Sequence, residues 1–438
     1  PALGYVQYSI DTQKDSHKET ADKKVLENKY YTIEVEENGS LTIVDKANNV
    51  TYKNQGILVE NGDDGDSFNY SPPRKDMEVF SNESKCTVKI SGSDIYDQAE
   101  IHFDMVVPAD LDERAEGKVS VTMLVDMTVA LRKDSKVIDF NVKVDNKGLS
   151  HRLCVLFDSQ IVSAFNYADQ QFGLIKRPNY YEKEMKLYME SMNNKTEKKA
   201  GIQELANWAN DQSTWQEPPI SIEPTQSYVS LTDGKTGIAV IPQGVREYEV
   251  LDDSKIRLTL FRTYGFMGKE NLIYRPGRAS GERIIETPAA QLLKEMEFNF
   301  GFTSYAGDIN DSDIDTLAKQ YNTNLEVYTY AEFLNGRLIF SQREIEGQNA
   351  KIHSLFETEG NLVVSAVKKA EEDDGYIIRL YNGKDHKDLD DKIKFNFDIK
   401  EAYYTNLKEE KTEEIKVENN TISVKELSHC KFVTIWVK

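Results

Sequence analysis

The segment KVSVTMLVDMTVALR constrains the fold more than any other stretch, because Val119, Val121, Met123, Val125, Met127, Val129 and Leu131 occupy every odd position. Successive side chains of a strand point to opposite faces, so this pattern buries one face of a long β-strand and cannot line one side of a helix. After the turn KDSK, the stretch VIDFNVKV repeats the pattern with Ile138, Phe140, Val142 and Val144, and Asn146-Lys147-Gly148 closes it. Earlier, KYYTIEVEENGSLTIVD reads as a hairpin. Tyr31, Ile33 and Val35 share a face, Leu41 and Ile43 follow, and Asn38-Gly39 offers the positive φ that a tight turn wants. Alternation returns in SKIRLTLFR, NLVVSAVKK, GYIIRLYN and the closing KFVTIWVK. Such strands predict an all-β chain of stacked antiparallel sheets, a large sandwich to about residue 310 and a smaller one after it.

Helical signals are few. DSDIDTLAKQYN, 311–322, offers Ser312 or Asp313 as an N-cap and reads as a connector helix. The charge-rich stretch 182–204 has weak periodicity and reads as a long surface loop or an insertion between strands. Asp311, Asp313 and Asp315 alternate like the first ligands of a calcium loop, but the glycine and glutamate that complete one are missing, so capping is the better reading.

The chain of 438 residues carries 54 Lys and Arg against 74 Asp and Glu, a formal charge of −20, which repels phosphate backbones and anionic lipid at long range. No nucleic acid and no membrane partner is expected. Three scattered cysteines, Cys86, Cys154 and Cys430, form no pair typical of zinc or redox work and suit a reducing cytoplasm. The chain starts PALGYVQY without an initiator Met, which reads as a processed product or a piece of something longer.

The search for chemistry returns no complete catalytic set. Six histidines stand apart with no H-x-H or H-E-x-x-H spacing, and no G-x-S-x-G elbow or Gly-rich phosphate loop occurs. Two polar stretches remain. In NGDDGDSFNYSPP, residues 61–73, Asp63, Asp64 and Asp66 alternate with glycines and are followed by Phe68 and Tyr70. Gly62 and Gly65 permit backbone angles closed to other residues, and the two rings share a side if the segment is extended. An acid-and-ring cluster suits a sugar, whose hydroxyls donate to carboxylates and whose C–H face lies on a ring, whereas the plainer reading is a solvated turn. In FRTYGFMGKENLIYRPGRASGE, 261–282, Arg262, Arg275 and Arg278 either clamp an anionic or polyhydroxylated ligand or pair with nearby acids.

GDDGDSFNYSPP, PALGYVQY, ADQQFGLIKRP, RTYGFMGKENLIYRPGRASGE and NLVVSAVKKAEEDDGYIIRLYN together resemble, in order, the C-terminal half of bacterial glycoside hydrolase family 38 α-mannosidases, including the mannosylglycerate-hydrolase-like branch. The resemblance implies a galactose mutarotase-like supersandwich over 25–310, a connector helix and terminal β-sandwich over 311–438, and a linker over 1–24 from a catalytic part. It implies a retaining, bacterial cytoplasmic enzyme whose N-terminal barrel supplies the nucleophile, the acid/base and the ligands of one zinc ion. None of those motifs is present here, so this half alone is expected to be silent and to hold no cofactor.

The partners implied are that catalytic domain and a mannosyl substrate, either glycan or mannosylglycerate, and an oligomer is compatible with the sequence. The family's aromatic loop reaches toward the active site with Tyr where this chain has Phe68. Asp63, Asp64, Asp66, Phe68, Tyr70, Arg275 and Arg278 are the candidate substrate-rim residues. The rival classes are a freestanding carbohydrate-binding or scaffold module and a mutarotase-like epimerase using a His and a Glu.

Overall fold

The structure, a computed structural model, describes residues 3–6, 20–21, 25–195, 217–276, 283–327, 352–385 and 387–438. The chain divides into two compact units, one within 17–169 and 176–314, the other within 315–438 with 1–16 and 170–175.

In the first unit every odd residue from Met123 to Leu131 is fully buried, in the strand Val121–Arg132. This strand pairs with Tyr96–Val107 on one side and Ile138–Asp145 on the other, and Ile138–Asp145 pairs in turn with Glu295–Ala306. Beyond them the sheet continues through Thr236–Gln243 and Val229–Thr232 at one side and Lys85–Gly92 at the other. Every pairing is antiparallel. A second sheet has the order Glu223–Pro224, Glu247–Leu251, Lys255–Arg262, His151–Asp158, Ile57–Gly62, Val79–Phe80. A third joins Val25–Glu27, Tyr31–Val35, Leu41–Asp45 and Val50–Gln55. In its first predicted hairpin, Gly39 takes φ +80° and donates its N–H to Glu36 O, so the turn is closed by the one residue suited to it.

Rings from all three sheets meet in the core. Phe140 stacks on Phe300 at 5.2 Å, Phe157 meets Phe140 edge-on at 5.4 Å, and Tyr52 meets Phe302 edge-on at 5.9 Å. These are the offset and T-shaped arrangements that ring quadrupoles favour.

In the second unit a sheet of Val363–Lys369, Tyr376–Tyr381, Phe432–Val437, Ala402–Thr405 and Lys411–Ile415 accompanies one of Phe356–Thr358, Leu389–Phe395 and Thr421–Leu427. Ile378, Leu380, Ile393, Ile422 and Ile435 form its core.

Two segments qualify the sequence reading. Of the stretch 182–204, Glu182–Lys195 is an α-helix inserted between the strands Gly173–Pro178 and Glu223–Pro224, which fits an insertion between strands and not a plain loop, and 196–204 lie outside the described residues. Its Glu, Lys, Met and Leu content favours helix by local propensity even without a clear apolar stripe. Gly62 and Gly65 do not have positive φ. Their glycines are required by space: a Cβ on Gly62 would lie 2.6 Å from Arg114 Cδ, and one on Gly65 would lie 2.0 Å from the carbonyl oxygen of Asn69.

Candidate functional site

The strand Ile57–Gly62 runs straight into the acidic loop, and its register sets Gly62 opposite His151 and Asn61 opposite Arg152. On the far side of His151–Asp158, Arg152 faces Arg262. Two guanidinium groups side by side need separate anions, and each has one. Arg262 donates from Nε to Asp63 Oδ2 at 2.6 Å and from Nη2 to Asp63 Oδ1 at 3.1 Å. Arg152 donates from Nη2 to Glu249 at 2.7 Å and from Nε to Asn61 at 2.9 Å.

Arg262 does more than neutralise. Its Nη2 also donates to the carbonyl oxygens of Asp66 and Asn69, each at 2.9 Å. One planar cation therefore ties the start, middle and end of the loop to a sheet strand. Arg275 forms the second clamp, pairing with Asp66 and Asn69 and donating to Lys269 O at 3.0 Å. Asp66 also accepts the backbone N–H groups of Phe68 at 2.9 Å, Asn69 at 3.0 Å and Lys269 at 2.9 Å.

The balance between burial and hydrogen bonding separates the two carboxylates electrostatically. Desolvation pushes the Asp63 carboxyl above its ordinary value despite the Arg262 pair. At Asp66 burial pushes the same way, but the Arg275 hydrogen bond with the Asn69 and Phe68 amides outweighs it and holds the carboxyl below the usual range.

The candidate residues thus fall into different environments. Asp63 and Asp66 are buried and bound to arginines, and Arg275 is buried with them. Tyr70, 7% exposed, lies under the guanidinium of Arg152 at 4.0 Å from its ring centre, accepts a hydrogen bond from Asn61 at 3.0 Å and meets Tyr274 edge-on. Phe68 is instead 59% exposed. The loop is not a strand here, so the two rings do not share a side. Asp64 is half-buried and pairs with Lys269. Arg278 lies outside the described residues.

Sequence reasoning had placed Arg262 in the polar stretch but ranked Arg275 and Arg278 ahead of it. Only the register of His151–Asp158 against Lys255–Arg262 brings it to the loop.

A His and a Glu do meet: His151 Nδ1 lies 3.0 Å from Glu60 Oε1. Both are buried, Arg114 also binds Glu60, and Asn146 accepts at the other ring nitrogen at 2.9 Å, so the pair is closed to a sugar. Among the described residues no group of three or more His, Cys, Asp or Glu is gathered to hold a metal ion. Nor is any helix among them long and apolar enough to cross a membrane.

The fold and site together define an antiparallel β-sandwich protein whose acidic loop is clamped by arginines. The chain belongs to glycosyl hydrolases family 38: residues 26–266 match the family's C-terminal domain and 361–434 its C-terminal beta sandwich domain. A curated relative from Halalkalibacterium halodurans, named "Putative mannosylglycerate hydrolase", is 24% identical over 420 residues, covering 91% of this chain and 40% of that protein. An alpha-mannosidase from Enterococcus faecalis V583 superposes with TM-score 0.70 at 21% identity, covering 94% of this chain and 42% of the other. A glycosyl hydrolase family 38 protein from Enterococcus faecalis gives 0.71 at 20% identity, covering 98% and 45%. These two likenesses establish the fold. The chain spans less than half the length of each of these relatives.

Proposed function

We propose that this chain is the C-terminal, non-catalytic half of a retaining, zinc-dependent α-mannosidase-type hydrolase, and that its 61–73 loop completes the rim of the mannose pocket. The partial coverage of each relative supports a companion catalytic domain on the same polypeptide. The relatives' names support a mannosyl substrate, glycan or mannosylglycerate. Zinc, which the family resemblance implies, would have its ligands in that companion.

The observation that carries the reading is the division of labour in the loop. Asp63 and Asp66 are consumed by Arg262 and Arg275, and the turn they make holds out an apolar ring, Phe68, that stays 59% exposed among the described residues. A ring held on an over-determined loop can pack on a sugar's C–H face at little entropic cost, and positioning of that kind lowers a barrier without supplying a reacting group. Asp64, beside Lys269, is the carboxylate left near the tip.

The test is kinetic. In the full-length enzyme, Phe68→Ala lowers kcat/KM on an aryl α-mannoside at least about tenfold, the melting temperature stays within about 2 °C, and Phe68→Tyr keeps the activity. Unaltered kinetics for Phe68→Ala sinks the rim reading. Turnover by the purified 438-residue chain alone would sink the non-catalytic one.

A further inference from the structure

Far along the chain, the second unit carries a groove of about 640 Å³ that the 61–73 loop has no part in. The hairpin joining Ala402–Thr405 to Lys411–Ile415 forms one wall with Asn406, Leu407 and Glu410. Phe432, at the start of Phe432–Val437, forms another. Two large apolar groups here meet solvent: Leu407 is 63% and Phe432 is 40% exposed. Phe432 is extended by Phe172, itself 45% exposed, which stacks on it at 5.4 Å. Phe172 holds φ +65°, a left-handed conformation that costs a bulky side chain about 1–3 kcal/mol and is kept only where the surroundings over-determine it.

Polar groups are interleaved with these rings. Asn406 donates to Glu410 Oε2 at 2.6 Å, which fixes both side chains at the mouth. Lys425 sits 4.3 Å from the ring centre of Tyr404. Thr405 and Thr434 line the groove between them.

We propose that this groove is a second, non-catalytic saccharide-binding site, taking a neutral oligosaccharide. Its C–H face would lie on Phe432 and Leu407, and its hydroxyls would reach Glu410 and Asn406. Charges of both signs at the mouth, Lys408 and Lys425 against Glu410, favour a polyhydroxylated neutral ligand over an anion or a cation. The proposal does not rest on the rim reading, and the kinetics that test that reading leave this one untouched.

The probe is α-mannotriose titrated into the 438-residue chain, followed by calorimetry and by ligand-observed saturation transfer. Saturable binding is expected, weakened about tenfold or more by Phe432→Ala and by Asn406→Ala. Leu407→Ala decides between a site and mere structure. Leu407 is 63% exposed, so its truncation should leave the melting temperature within about 2 °C while weakening binding. Absence of saturable binding overturns the proposal, as does binding that Phe432→Ala and Leu407→Ala leave unaltered.

Discussion

Arg262 closes on Asp63 with two parallel hydrogen bonds across 199 residues of chain, joining the last residue of one strand to the first residue beyond another. Asp63 is fully buried and Arg262 half-buried, so their attraction is offset by the cost of drying the carboxylate and part of the guanidinium, and the pair's worth lies in what it holds in place.

Removing one partner tests this. Arg262→Met leaves the Asp63 carboxylate buried with no cation on it and releases the carbonyls of Asp66 and Asn69. A loss of about 3–5 kcal/mol in urea unfolding is expected. The pair Asp63→Asn with Arg262→Met should lose less than Arg262→Met alone, because no orphaned charge remains. A single variant within about 1 kcal/mol of the parent would show that the clamp does not hold the loop.

The two buried carboxylates predict opposite pH responses. The folded-state value of Asp66 is lowered, so the stability it adds is present above its ordinary 3.8 and is lost as pH falls through the lowered value. The folded-state value of Asp63 is raised, so its contribution is present below 3.8 and is lost as pH rises through the raised value. Asp66→Asn should therefore flatten the acid side of a stability profile measured between about pH 3 and 6, and Asp63→Asn should steepen it. Identical changes from the two substitutions would contradict the electrostatic assignment.

Much of the fold was legible because burial on one face writes itself into sequence with period two, as from Val121 to Leu131. The helix Leu111–Glu116 went unread although its signals are local. Asp110 accepts from the N–H groups of Asp112 and Glu113, Glu113 reaches back to the N–H of Ala109, and Gly117 ends the helix at φ +70°. The site was legible only in part. Composition marked the acids and the arginines, but whether Asp63 faces sugar or Arg262 depends on sheet register, a long-range property that no window of residues contains. Spacing alone also left Tyr70 open, because a ring two residues from Phe68 shares its side only if the segment is extended, and the loop is not a strand.

His102 gives a prediction on the broad sheet. It stands opposite Asp126 in register, with Nδ1 2.7 Å from that carboxylate and Nε2 3.3 Å from Asp104, which also pairs with Lys85. The Asp126 hydrogen bond, against a smaller opposing effect of burial, raises the imidazole above its ordinary 6.5. Its stabilisation is fully present below 6.5 and disappears as pH rises through the raised folded value. His102→Asn should erase that fall in stability on the alkaline side of 6.5, and an NMR titration should find the His102 ring changing charge above 6.5 in the folded protein. A ring titrating below 6.5 would refute the Asp126 contact as the cause.

Two glycines separate crowding from backbone strain. At Gly65, φ is not positive, yet a Cβ would fall 2.0 Å from the carbonyl oxygen of Asn69, 2.8 Å from Asp63 Oδ1 and 2.8 Å from the Ser71 nitrogen. Two of these three are backbone atoms, and Asn69 O is also an acceptor for Arg262, so none can give way without opening the clamp. At Gly117 the reverse holds: φ is +70° and nothing lies within 4 Å of where the Cβ would be. Gly117→Ala should cost only the left-handed penalty, about 1 kcal/mol. Gly65→Ala should cost several-fold more, and in the full-length enzyme it should lower kcat/KM as Phe68→Ala does, because the loop that presents Phe68 can no longer close. Equal losses of stability from the two alanines would mean that the loop accommodates a side chain at Gly65, and Phe68 would then stand on a pliant support.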